Sequence, residues 1–298
     1  MAAQTEAVAG IIGGRVRRSI LQRNWLLWRR RPLGLVGISL LALLVLVAIL
    51  APVLATHDRF ATSAADQLVA PSAGHFMGTD RYGRDLFSRI VYGSRISLYV
   101  GFSVAFAAGC IAGVLGLTSA YFGGKVDLIF QRVIDVFQSF PGLILAMSIV
   151  AVLGFGIEKA ILAIIIPDIP RMTRIVRSQA LAVRSTDYVL AGRTIGAGHL
   201  RLIARYIAPN SMAPWIIVVT GALGGAILTE ASLSFLGLGI PEPHPSWGAM
   251  LSLSAADYAE IAPWLVIFPG LSLSIAVFGF MVFGDALRDV LDPRLRGR

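Results

Sequence analysis

Six apolar stretches of about 20 residues or more, at roughly 33–54, 97–120, 128–153, 157–176, 213–238 and 262–283, constrain this chain more than any other feature. A helix rises about 1.5 Å per residue, so each stretch can cross a hydrocarbon layer about 30 Å thick. Inside that layer every backbone N–H and C=O must find its partner within the protein, and a continuous apolar run meets this demand as a helix. With 56% hydrophobic and only 14% charged residues among 298, little chain remains for a soluble head. The expectation is an all-α polytopic membrane protein with six transmembrane helices.

Charge placement orients the spans. A net charge of +9 would suggest nucleic-acid binding in a soluble chain, but here the arginines cluster between apolar runs, as the positive-inside rule predicts for cytoplasmic loops. Residues 1–32 form a basic segment carrying Arg15, Arg17, Arg18, Arg23, Arg29, Arg30 and Arg31. The stretch 171–205 holds Arg171, Arg174, Arg177, Arg184, Arg193, Arg201 and Arg205 against Asp187 alone. Both belong on the cytoplasmic side, with both termini there and residues 33–298 forming the membrane domain. Segments 62–74 and 242–258 then lie outside. The first run is too long for the core of a cleaved signal and is expected to remain as a span. Cys110 is the single cysteine, so no intrachain disulfide and no cysteine metal cluster is expected.

The connection from 184 to 209 is far longer than a helix-to-helix turn needs. Ser185, Thr186 or Asp187 can cap a helix starting at Tyr188, Gly196 can end it in a left-handed turn, and a second helix can run from His199 to Tyr206 before Pro209. Such a pair is either a knob for a partner to grip or a hairpin lying on anionic lipid. In 78–85, Gly78, Asp80 and Gly83 are turn formers and Arg84 can pair locally with Asp85. Gly123 and Gly124 permit a tight turn. Gly109, Gly113 and Gly116 fit close helix packing. Trp247 is read as an interfacial anchor or a contact to an external partner. Glu230, an ionisable group within an apolar span, either faces a pathway or is held by local donors or a partner subunit.

These segments carry a family resemblance. Leu190-Ala191-Gly192, Gly196 and Ile207-Ala208-Pro209 resemble the coupling loop of ABC importer permeases, with Leu190 in place of that loop's acid and Gly192 in place of its second alanine. Gly78-Thr79-Asp80-Arg81-Tyr82-Gly83-Arg84-Asp85 is similar to the GTDxxGRD box of the dipeptide, oligopeptide and nickel class. Ala120-Tyr121-Phe122-Gly123-Gly124-Lys125-Val126-Asp127 resembles its AGYFGGxxD turn, and Glu230 to Gly239 with Pro245-Ser246-Trp247-Gly248 looks like its fifth span and following loop. Gly284-Asp285, Arg288-Asp289 and Leu291-Asp292-Pro293 match its terminal signature. The likeness is to the C-type subunit of the permease pair. It implies a type I ABC importer permease fold in a bacterial or archaeal cytoplasmic membrane. It also implies a homologous second permease, two cytoplasmic ATPase subunits and an extracytoplasmic substrate-binding protein as partners. Tyr188, Leu190, Ala191, Gly192, Arg193, Gly196, Ile207 and Pro209 become the expected ATPase-coupling residues. Short peptides lead as substrate, with nickel chelates or other small solutes open.

Missing motifs narrow the chemistry. Gly123-Gly124-Lys125 lacks the spacing and hydroxyl of a phosphate-binding loop, so ATP and Mg are expected on partner subunits and no cofactor on this chain. Residues 270–274 fail the nucleophile-elbow pattern, which disfavours a membrane hydrolase. His57, His75, His199 and His244 are scattered across both sides of the membrane in this topology, and no catalytic or zinc constellation is expected from them. A secondary transporter working alone is the alternative of a different class.

Overall fold

The computed structural model describes residues 32–252 and 257–291. The arginines expected to orient the N-terminus, together with Arg294, Arg296 and Arg298, lie outside the described residues. The regular elements are helical: α1 Pro32–Leu54, α2 Leu86–Phe122, α3 Gly124–Gln138, α4 Gly142–Leu153, α5 Ile157–Arg184, α6 Asp187–Thr194, α7 His199–Arg201, a π-helical turn Leu202–Ile207, α8 Ala208–Phe235, α9 Trp247–Met250 and α10 Trp264–Leu291. Among the described residues the one strand-like pairing is an isolated bridge between Thr79 and Asp85.

α1 is apolar all round, yet one stripe of it is buried: Gly34, Gly37, Ala48 and Ala51 turn inward while Leu43, Leu46, Ile49 and Val53 remain exposed. Small residues let two backbones approach closely where no water drives association. A Cβ on Gly37 would come within 2.7 Å of the Phe283 backbone nitrogen on α10, and one on Gly279 within 3.1 Å of Leu40. α2 starts where Asp85 accepts a hydrogen bond from the Ser88 backbone N–H at 2.8 Å, which satisfies one of the helix's orphan donors. It ends 37 residues later at Gly123. Gly123 and Gly124 have φ of +64° and +53°, a left-handed pair that turns the chain directly into α3.

Residues 128–153, expected as one span, form two helices bent by 86°. Pro141 lies at the break. It lacks an N–H and pushes Phe140 out of the helical region, so a helix that reaches Gln138 restarts only at Gly142. α5 follows its expected start but runs on to Arg184, with Pro167 and Pro170 inside it. Four helices among the described residues are long and apolar enough to cross a bilayer: α1, α2, His199–Phe235 and α10; the bent α3–α4 pair would make a fifth. α5 does not qualify, because Asp168, Arg171, Arg174 and Arg177 interrupt its apolar face.

The main core is built from Val100, Val104, Ala108 and Ala112 on α2, Ala146 and Val150 on α4, Ile161 and Ile164 on α5, Ala226 and Ile227 on α8, and Phe280 on α10. Gly109 receives Val219 and Trp215 from α8, and Gly116 lies against the Thr173 and Arg177 backbone of α5. The glycine face of α2 is thus an internal packing surface. A second cluster around Tyr121, Val189, Leu202 and Ile207 closes one end of the bundle, and a third around Leu86, Leu265 and Ala262 closes the other.

Candidate functional site

The two ends of α2 stand about 55 Å apart at 1.5 Å per residue, and each carries a distinct constellation.

At the α2 C-terminal end, α6 and the following turn form the knob expected from 184–209. Thr186 occupies the N-cap position, but its Oγ1 donates back to the Val183 carbonyl and gives no side-chain cap. Gly196 does end the helix left-handed, at φ +81°. The Gly196 N–H donates to Arg193 O at 2.9 Å and the Ala197 N–H to Gly192 O at 3.0 Å. Val189 and Gly192 face inward, and a Cβ on Gly192 would meet Leu202 at 3.1 Å and Tyr206 at 3.2 Å. Gly192 and the buried Ile207 therefore fasten the knob to the bundle. Tyr188, Leu190, Ala191, Arg193 and Gly196 are its exposed members.

The second helix departs from expectation. It does not stop before Pro209. After α7 the backbone widens into the π turn and passes straight into α8, so His199–Phe235 is one continuous 37-residue helix. Pro209 sits in the first turn of α8, and the widened turn spares the N–H that proline lacks. The knob is anchored to the bundle by Tyr121, whose hydroxyl lies 2.6 Å from His199 Nδ1 and whose ring sits beneath the Arg193 guanidinium at 5.2 Å. Arg184 donates to the Ala120 carbonyl at 2.9 Å, and Arg177 grips Asp127 through two hydrogen bonds.

At the opposite end, the 78–85 turn forms with Gly78 and Gly83 at φ +77° and +73°. Arg84 does not pair with Asp85. Its Nε donates to Asp80 at 2.6 Å, and its Nη1 and Nη2 hold Glu242 as a bidentate pair at 3.0 and 3.1 Å. Burial works against the Arg84 charge, but Glu242 and Asp80 more than offset it and raise its pKa above the ordinary value. Burial likewise opposes ionisation of Glu242, and the Arg84 fork still draws it below the usual carboxylate range. Asp85 accepts from Ser88 and is 2.9 Å from His75 Nδ1; these bonds outweigh burial and lower its pKa too. Arg89 donates to the carbonyls of Arg59 and Pro243.

Trp247 is neither at an interface nor free for a partner. It is 2% exposed, and its Nε1 donates to the Ile90 carbonyl at 3.0 Å across a gap that Gly93 leaves open. Gly248 presses on the Ala231 backbone, where a Cβ would lie 2.3 Å from the carbonyl oxygen. Thr79 accepts from the Val69 N–H, and its carbonyl accepts from Trp264 Nε1. Glu230, 1% exposed, takes hydrogen bonds from Ser234 at 2.6 Å and Ser246 at 2.9 Å on Oε1, and its Oε2 has no partner. It is held by local donors within the chain's own core. A cavity of about 870 Å³ lies elsewhere, between α5, α8 and α10, with Arg171, Gln179, Asn210, Asp285 and Arg288 among its lining.

Glu242 was not singled out from sequence. It sits 158 residues from Arg84, and the one available signal was an acid among prolines in an otherwise uncharged stretch.

An all-helical, multiply spanning bundle with a helical knob at one end and an ion-paired cap at the other is the architecture of a transport permease. The sequence matches the family described as binding-protein-dependent transport system inner membrane component over residues 105–297, and the N-terminal TM domain of oligopeptide transport permease C over residues 19–71. It is 41% identical over 268 residues to the dipeptide transport system permease protein DppC of Alkalihalophilus pseudofirmus, covering 90% of this chain and 88% of that protein. The oligopeptide transport system permease protein OppC of Bacillus subtilis is 40% identical, with 93% and 91% covered. Among solved structures, a chain of the inward-facing MetNI methionine ABC transporter superposes with a TM-score of 0.51 at 17% identity, over 65% of this chain and 94% of that one, a likeness of fold alone. The chain belongs to the family of inner membrane components of binding-protein-dependent ABC importers, on the permease C branch.

Proposed function

We propose that this chain forms half of the translocation pathway of an ATP-driven importer of short peptides, as the names of its relatives suggest. A homologous permease would complete the pathway, two cytoplasmic ATPase subunits would bind ATP and Mg, and an external binding protein would deliver substrate. In this reading the bent α3–α4 pair is the third span and α5 the fourth. Six crossings then put both termini and 184–205 in the cytoplasm and the Arg84–Glu242 cap outside. The charged segment of α5 is tolerable because Asp127 and Asp135 neutralise Arg177 and Arg174, and because Arg171 lines the open cavity rather than meeting lipid.

The observation that carries the reading is the apolar surface of the knob. Tyr188 and Leu190 are half-exposed, and Ile195 and Leu200 are 81% and 79% exposed at the very end of the bundle. Four such side chains on one small projection fit a groove on a protein partner. The ATPase subunits would move this knob, and the unbroken helix from His199 would carry the movement along α8 into the wall of the cavity. Catalysis stays with the partners. The test is purification of the assembled transporter, with cysteines paired between α6 and the ATPase subunits and with reporter cysteines at Ser185 after Cys110→Ala. Crosslinking through α6 and labelling of position 185 from the inner face alone are expected. Labelling of that position from outside intact cells would overturn the topology, and failure of every α6 position to crosslink would overturn the coupling role.

A further inference from the structure

The four histidines are spread along the sequence, but folding brings two of them onto one buried carboxylate. Asp85 is 2% exposed, and its two oxygens divide their work. Oδ2 accepts from the Ser88 N–H at 2.8 Å and from Thr56 Oγ1 at 3.3 Å, which fixes the carboxylate plane. Oδ1 faces His75 Nδ1 at 2.9 Å and His57 Nδ1 at 3.7 Å. The two imidazoles stack with centroids 4.7 Å apart, and both Nδ1 atoms face the same carboxylate oxygen. All three donor atoms lie within 4.8 Å of one another.

We infer that His57, His75 and Asp85 form a binding site for a borderline divalent cation of the zinc type. With metal–donor bonds of 2.0–2.2 Å, the donors of a tetrahedral site stand about 3.3 Å apart. The two donor spacings to Oδ1 bracket that value, and the two nitrogens reach a common cation once the stacked rings rotate toward it. Two neutral imidazoles and one carboxylate suit a borderline cation better than magnesium or calcium, which demand more oxygen ligands. The outer shell is already in place: Ser88 and Thr56 orient the carboxylate through the oxygen that does not face the metal. His75 moves its proton from Nδ1 to Nε2 on coordination, so a neutral ring stays neutral. His57 is partly exposed, which leaves an entry path and a fourth position for water. A cation here would tie the segment after α1, at His57, and the loop before the 78–85 turn, at His75, to the first turn of α2. This site goes beyond the importer assignment and does not depend on it.

The experiment uses the full chain in detergent, purified with a tag free of histidine and stripped with chelator, then titrated with Zn²⁺ alone by calorimetry and with Co²⁺ by visible absorption. One equivalent per chain is expected, with the intense bands of tetrahedral Co²⁺. His57→Gln and His75→Gln are each expected to weaken binding by at least about 10- to 100-fold, the loss that follows from removing even an outer-shell partner. His199→Gln and His244→Gln should retain the equivalent. Asp85→Asn can keep the α2 cap but loses the carboxylate charge that faces both rings, so the histidine variants carry the decision; their fold is checked by circular dichroism. No saturable uptake at micromolar Zn²⁺, or binding that survives in the His57→Gln/His75→Gln double variant, would overturn the site and leave a hydrogen-bonded histidine–aspartate pair.

Discussion

Replacing Gly196 separates a backbone cost from a docking cost at the knob. The residue ends α6 at φ +81°, and a Cβ built there has no other atom within 4 Å. Alanine therefore meets no clash inside this chain but incurs left-handed strain of roughly 1–2 kcal/mol, and a β-branched valine incurs more. Asparagine, which tolerates this conformation, should incur less. Since each 1.4 kcal/mol is tenfold in an equilibrium, the knob geometry should be populated about 5- to 30-fold less in the alanine variant. Spans held by lipid and helix packing do not feel this turn, so abundance in the membrane should stay unchanged. Uptake and retention of the ATPase subunits are the readouts. The expected order of loss is Asn, then Ala, then Val; Asn against Ala reads the backbone cost, and Val adds its own greater strain to any collision with the partner. Wild-type uptake and co-purification by both Gly196→Ala and Gly196→Val would refute the reasoning.

Trp247→Phe removes the donor to Ile90 O while keeping most of the ring, and should cost about 0.5–1.5 kcal/mol, since that carbonyl keeps its place in the α2 ladder; thermal unfolding of the purified chain reads it, and an unchanged midpoint counts against the anchor. Glu230→Gln should leave insertion, assembly and uptake near normal, since an amide oxygen can still accept from Ser234 and Ser246. Glu230→Ala leaves both hydroxyls without that acceptor and should lower folded yield, and the reverse ranking would point to a role for the charge. Glu242 and Asp85 both titrate below the ordinary carboxylate range. Their folded-state contribution is complete above the unfolded values near 4 and is lost as pH falls through the lower folded ones. Hydrogen exchange of 78–85 and 240–248 should therefore be flat from pH 7 to 5 and accelerate beyond the intrinsic acid trend only below about 4, and Arg84→Met should abolish that threshold for Glu242.

The parts legible in sequence are those that local chemistry decides. An uninterrupted apolar run can only be α1, paired glycines after Phe122 can only be a tight turn, and Gly196 ends its helix left-handed as its spacing implied. Pro141 carried the signal for the α3–α4 break, but apolar residues on both sides masked it in a window that scores composition. Pro209 misled in the opposite direction, because a proline that usually ends a helix is here carried inside one, just downstream of a π turn that no residue pattern announces. The tertiary contacts were out of reach. Trp247 looks like an interfacial tryptophan until Gly93, on another helix, is found to make room for it. Arg84 had an acid next to it in sequence and chose Asp80 and Glu242, and His57 and His75 meet only because the loop after α1 folds back over the start of α2.

The small-residue stripe on α1 has a consequence for how the chain is made. At Gly37 it comes against the Phe283 backbone of α10, so the first span among the described residues packs tightly on the last of them. At 5–20 residues per second, α1 stands in the bilayer for roughly 10–40 s before α10 follows about 200 residues later. Of its packed neighbours only α2 is made soon after it, so α1 must be stable in lipid before its tightest contact exists. That requirement explains why α1 is free of ionisable residues along its whole length, while later spans, which enter among neighbours already in place, can carry Glu230, Asp168 and the arginines of α5.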